Sequence, residues 1–262
     1  MEEIVELGIL GGLAFFWALD FIAPARKKLP KVRFWRLKGV LSFVAIMVIM
    51  EYAASFWDAW LGAHRLLDLS ELNVVAGTAV GILVYEAVLY AWHRALHRVP
   101  LLWRTFHQWH HSAERVDIWG AYWFSPLDMI GWAFVGSFSL VMVVGLSPAA
   151  TVATVAITTV IGYIQHANIR TPHWLGYLIN RPEGHMIHHE RGVHAFNYGD
   201  IALFDQLFGT WKNPRTWDEE AGFYDGASER TVDMLLFKDV SEPEGELSSS
   251  DDERVTRPSV AA

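Results

Sequence analysis

Two stretches of the chain, 129–146 and 149–164, run without a charged residue and are separated only by Ser147 and Pro148. Each approaches the roughly 20 apolar residues that a helix needs to cross a hydrocarbon core of about 30 Å. The Ser-Pro joint predicts a tight hairpin between them. Three weaker apolar stretches precede this pair, at 4–21, 40–57 and 74–92, each interrupted by one or two acidic residues. Any one could be a buried helix of a soluble bundle. Five in succession predict an all-α, polytopic membrane protein with four to five transmembrane helices.

The polar segments between the stretches orient the spans. The run 26–38, RKKLPKVRFWRLK, holds seven basic residues and no acid, so it should remain on the cytoplasmic side. The first stretch begins MEEIVE and lacks the basic leader of a signal peptide, so it reads as a span. Following the spans in order, 74–92 returns to the cytoplasmic face at His93, and the hairpin goes out and comes back at His166. The histidine-rich segments therefore fall on one side, as a cytoplasmic cap.

Composition agrees with this picture: 52% of the residues are hydrophobic and 13 are tryptophan. The absence of cysteine excludes disulfides, thiolate metal sites and iron–sulfur clusters. The net charge of -8 is unevenly placed, because from Asp239 onward there are seven acidic residues against two arginines in a Ser/Pro/Glu-rich run. Residues 237–262 are expected to be a disordered acidic tail, and residues 1–236 one membrane-embedded domain.

The candidate chemistry lies in histidines. They occur as HRALH (His93, His97), HQWHH (His107, His110, His111) and HMIHH (His185, His188, His189), with His166 at the end of the hairpin. Residues at i, i+3 and i+4 share a helix face. Neutral imidazole is a common ligand for zinc, copper, iron and nickel. Nine imidazoles exceed the four to six ligands that one such ion takes, so two ions are expected. A lone HxxxH is more often an interface pair, and histidines near a membrane also serve as pH sensors. Three clusters on one face favour metal. A zinc protease is excluded, since HERGVH (His189 to His194) has its second histidine one residue too far for HExxH.

Glu86, Tyr90, His93 and His97 step by 4, 3 and 4 and form one stripe. An acid at membrane depth is expensive, so Glu86 or Tyr90 is expected to hold a ligand imidazole by its other nitrogen. The aromatics Trp103, Phe106, Trp109, Trp119, Tyr122 and Trp123 are expected to form an interfacial belt.

LYAWHRALHRVPLLWRTFHQWHHS, then QHANI, then HMIHH followed by FNYGD and FDQLFGTW, closely resembles the fatty acid hydroxylase/sterol desaturase superfamily of integral-membrane di-iron oxygenases. The resemblance covers roughly residues 80–212. It implies a helical membrane base under a cytoplasmic domain that holds two iron ions. It further implies dioxygen-dependent hydroxylation or desaturation of a lipid, such as a fatty acyl chain or sterol, with electrons that originate from NADH or NADPH. Carried over by position, it makes His93, His97, His107, His110, His111, His166, His185, His188 and His189 the metal ligands and Asn197 a further contact. Two positions depart from the pattern: Arg170 stands where some branches have histidine, and Ser125 stands before Pro126 where many members have histidine. His173, His194, Asn197 or water could replace a missing ligand.

No HPGG-type haem segment and no Gly-rich dinucleotide fingerprint occur, so the electron donor is expected to be a separate protein. The basic stretches 26–38 and 94–104 could receive an acidic carrier, although anionic headgroups explain the same charges. No nucleic-acid motif is present. The alternative outside the enzyme class is a histidine-rich membrane protein that binds or moves metal, or a relative that no longer turns over. A transporter would place its ligands near the bilayer midplane on interrupted helices. The expected membrane is the bacterial plasma membrane or the endoplasmic reticulum.

Overall fold

A computed structural model describes residues 2–243. Its long elements are α1 (Glu2–Ile22), α2 (Trp35–Gly62), α3 (Val74–Arg98), α4 (Pro126–Ser137) and α5 (Pro148–His166). A π-helix, Phe138–Val143, continues α4. Among the described residues there is no strand, only two isolated antiparallel bridges, Ile179 with Ile201 and Glu190 with Ala221.

Four helical segments, α2, α3, Pro126–Val143 and α5, are long and apolar enough to cross a membrane. The first expected span is a shorter apolar helix, Leu7–Ile22, within α1. The chain is therefore an all-α integral membrane protein, with four spans and a fifth apolar helix beside them. α5 packs between α1 and α3, while α2 packs along α4.

Local chemistry sets where these helices start. Asn73 caps α3 by accepting from the Ala76 N–H at 3.0 Å. Ser125 and Ser147 cap α4 and α5, each followed by a proline at the first helical position. Ser147-Pro148 thus forms the joint of the expected hairpin. Just before it, Gly145 adopts φ +58, and a Cβ there would lie 2.3 Å from the Leu67 carbonyl oxygen. That close approach lets Leu66 and Leu67 donate to the carbonyls of Met142 and Val143, which closes the end of the bundle away from the histidines. Between α3 and α5, Gly77 faces Ala150 and Gly81 faces Thr154, a small-residue seam that brings the two backbones close.

At the opposite end the helices open into a cap formed by 99–125 and 167–243. Near the end of α1, Asp20 accepts backbone N–H groups from Ile118 (2.8 Å) and Asn168 (2.7 Å), joining the base to two cap loops. The third histidine segment forms α6 (Pro182–His188), and a further short helix, α7 (Ala202–Leu207), lies against α3.

The first part of the expected tail packs onto the cap. Gln108, between two histidines, donates to the Lys238 carbonyl (2.8 Å) and accepts from the Val240 N–H (3.1 Å), and Val240 is buried. This polar handle and apolar anchor hold residues 237–243. Residues 244–262 lie outside the described residues.

Candidate metal centre

All nine histidines singled out in the sequence meet at the cap end of the bundle. They form two groups: His93, His97, His107, His111 and His188 in one, and His110, His166, His185 and His189 in the other. In each group, one nitrogen per ring lies within 4.8 Å of all the others. His93 and His97 come from the end of α3, His166 from the last residue of α5, and the rest from the cap.

The division follows from helix rotation. One residue turns a helix by about 100°, so i and i+4 lie about 40° apart while i+3 lies about 60° the other way. The pairs His93/His97, His107/His111 and His185/His189 each stay within one group. The intervening His110 and His188 cross to the other. Each HxxHH segment therefore serves both groups, where a single shared face had been expected. The second segment is itself irregular, since Trp103–His107 is a π-helix that gives way to an α-turn at Gln108–His111.

Hydrogen bonds fix how the rings point. The Nδ1–H of His93 donates to the Tyr198 carbonyl (2.7 Å) and that of His188 to the Phe196 carbonyl (2.8 Å). His166 donates to Gly162 (2.9 Å) and His110 to Trp123 (3.3 Å), again at backbone oxygens. His107 donates to the carboxylate of Asp128 at 2.8 Å, and both side chains are fully buried. In these five rings the proton is on Nδ1, so Nε2 presents a bare lone pair.

Those lone pairs face one another. His93 and His107 approach at 2.9 Å through Nε2, and His110 and His166 at 3.2 Å. The buried Nε2 atoms of His97, His111 and His188 have no hydrogen-bond partner. Converging, unprotonated nitrogens repel unless a cation lies between them, so the donor set fits a pair of metal ions.

Burial keeps the cap histidines neutral. It pushes His107, His110, His111, His185, His188 and His189 well below the ordinary imidazole value, and the proximity of the other rings adds to the effect. His194 is lowered to about 4 by the same burial. In the unfolded chain these rings take up protons near pH 6.5. Stability of the metal-free protein should therefore be fullest above about pH 6.5 and be lost as pH falls toward about 4. Thermal melting of chelator-treated protein in detergent checks this, and a midpoint that holds or rises on acidification would contradict it.

The other expected site residues fasten the surroundings. Glu86 is fully buried, and its Oε2 accepts from the backbone N–H groups of Asp200 (2.9 Å) and Ile201 (3.1 Å). The Tyr90 hydroxyl accepts from Arg94 (3.0 Å) and bonds Thr210 (3.0 Å), and its ring stacks on Phe208. Neither is hydrogen bonded to an imidazole, contrary to expectation: Glu86 is turned to the backbone of 200–201, and Tyr90 to Thr210 and Phe208. Asn197 donates to the carbonyls of Gly184 and Lys212 and accepts from the Lys212 N–H, which uses its whole amide on the backbone. Asp205 binds the same loop through the N–H groups of Tyr198 and Gly199. The loop so held carries the two carbonyls that orient His93 and His188.

Asp128 was not among the residues singled out in the sequence, and it lies at the start of α4 beside the helix cap. Ser125 is that cap, accepting from the Asp128 N–H and donating to the Phe106 carbonyl. Arg170 is exposed, and His173 donates to the Asn213 carbonyl, so neither joins the rings. None of the six aromatics expected at an interfacial belt is exposed: Trp103 packs against His97 and His111, Trp119 stacks on Trp17, and Trp123 is buried. Beside the rings a cavity of about 160 Å³ extends between the helices, reaching from His93, His107 and His166 to Ile46, Leu89 and Thr159.

A model of the fatty acid hydroxylase family matches residues 78–210, half of the chain, and spans every one of the nine histidines. The chain belongs to the fatty acid hydroxylase family. Curated relatives include the ornithine lipid hydroxylase OlsE of Rhizobium tropici, 29% identical over 63% of this chain and 47% of that one. Sphinganine C4-monooxygenase 1 of Arabidopsis thaliana is 22% identical over 67% of this chain and 69% of its own. Fatty acid hydroxylase vlmA of a Lecanicillium species is 32% identical over 54% of this chain and 44% of its own. The chain thus spans about half the length of two of these three relatives. No solved structure matches it. In this fatty acid hydroxylase family member the matched region ends at Thr210, so the loop 196–201 and α7 fall within it and the fold-back of residues 237–243 lies beyond it.

Proposed function

We propose that this protein is a membrane-bound oxygenase that hydroxylates a lipid, with desaturation as the close variant. The observation that carries the reading is the gathering of nine imidazoles into groups of five and four, with bare Nε2 atoms converging beside a cavity between apolar helices. The names of the relatives, all hydroxylases or monooxygenases of lipids or fatty acids, support it.

His93, His97, His107, His111 and His188 would hold one iron, and His110, His166, His185 and His189 the other. Iron bound there would supply the activation of dioxygen and the oxidising strength that no side chain possesses. The chain's own residues supply placement. Backbone carbonyls and Asp128 keep the ring protons on Nδ1 and the Nε2 lone pairs inward. The cavity, walled by Leu89, Trp132 and Thr159, accepts an apolar chain and guides it toward the rings. Packing of Trp103 and Phe124 against the rings keeps water from the lone pairs. Electrons would come from NADH or NADPH through a separate protein. The basic run 26–38 favours a cytoplasmic cap.

Two measurements together test this. Purified protein should carry about two iron ions per chain after anaerobic reconstitution. Lipids from cells expressing the chain should contain a species heavier by one oxygen, or lighter by two hydrogens for desaturation. Stoichiometric metal with neither lipid change, under any electron donor, would favour a metal-binding role.

A further inference from the structure

His194 lies in the cap beside the group of five, yet it is not one of the rings that converge in either group. Its Nδ1 sits 3.1 Å from Nδ1 of His111. The Nε2 of His111 is buried and without a partner. Five other rings have Nδ1 on a backbone carbonyl or on Asp128, and His111 has no such oxygen. We propose that His194 is the positioning residue for His111: its Nδ1 accepts the Nδ1–H of His111 and so turns the Nε2 lone pair of His111 into the group of five.

The rest of the neighbourhood is built for that role. The His194 ring is held between Trp103 and Phe223, with centroids at 5.8 and 5.0 Å. Its backbone is left-handed, φ +40, as are those of Phe196 (φ +69) and Asn197 (φ +47). Such conformations are unfavourable for side-chain-bearing residues and persist where surrounding structure enforces them. Here they direct the His194 ring at His111 and, two residues on, the Phe196 carbonyl at His188.

The inference rests on reading the group of five as a metal site, and the test separates the two. His194→Asn places an amide oxygen where Nδ1 stood, on a residue type that tolerates a left-handed backbone. His194→Leu has nearly the same shape and no acceptor. Anaerobic titration of the full-length protein with ferrous iron should show one of two ions bound about 10- to 100-fold more weakly in the leucine variant, the range for loss of a ligand's hydrogen-bond partner. The asparagine variant should bind both as the parent does. The cobalt-loaded absorption spectrum should follow the same order, changed for leucine and retained for asparagine. Unchanged affinities and spectrum in His194→Leu would overturn the inference alone. So would an asparagine variant that melts like the parent yet loses an ion, since the imidazole would then itself be a ligand. A parent chain that binds no metal would overturn the functional reading first, and this inference with it.

Discussion

Replacing His185 by alanine is expected to empty the group of four while the group of five keeps its ion. Only His110, His166 and His189 would remain there, and the smaller group, which starts with four rings, has no spare imidazole to take the place of the lost one. His188→Ala leaves four rings in its own group, so it should retain more metal than His185→Ala although the substituted residues lie three positions apart on one helix. Turnover should fall in both variants by more than the roughly 100-fold that loss of an outer hydrogen-bond partner produces. Metal per chain and product formation, measured on the same preparations, check both parts. Equal metal loss in the two variants would show that the rings do not divide as their rotation around α6 implies. Unchanged metal in both would remove the centre altogether.

The second large effect is expected at Glu86. Leucine has similar bulk but accepts no hydrogen bond, so Glu86→Leu would leave the N–H groups of Asp200 and Ile201 unsatisfied in a buried setting. Each such donor costs about 1–3 kcal/mol, so a loss of roughly 2–6 kcal/mol is expected, with a lower melting temperature. Loosening 196–201 would also withdraw the carbonyls of Tyr198 and Phe196 from His93 and His188, and iron binding should weaken. Glu86→Gln keeps one oxygen able to accept both donors and should stay near the parent in both measurements. A leucine variant that melts and binds iron like the parent would refute the assignment of Glu86 to the loop.

The spacing of His93/His97, HQWHH and HMIHH is a local property of a helix, so the clusters and the face they share with His166 were legible. So was the charge-free pair around Ser147-Pro148. The division into five and four was not legible, because it depends on the rotation of α3 and two short helical segments relative to one another and on the π-turn at Trp103–His107. The partners of Glu86 were hidden for another reason. They are backbone N–H groups 114 and 115 positions away, and main-chain donors leave no trace in residue identity. Asp128 was hidden too, because its partner His107 lies 21 positions away, across a turn of the chain that no helix repeat relates.

Four rings, those of His93, His110, His166 and His188, are oriented by main-chain oxygens, which every residue type possesses. Substitutions at Phe196, Tyr198, Trp123 or Gly162 can alter packing but cannot delete the acceptor. Tolerance to sequence drift is therefore distributed unevenly across the centre: exchange of a residue that lends its carbonyl is absorbed, and fragility is concentrated in the few side chains that hold a ring or its loop, Asp128 for His107 and Glu86, Asn197 and Asp205 for 196–201.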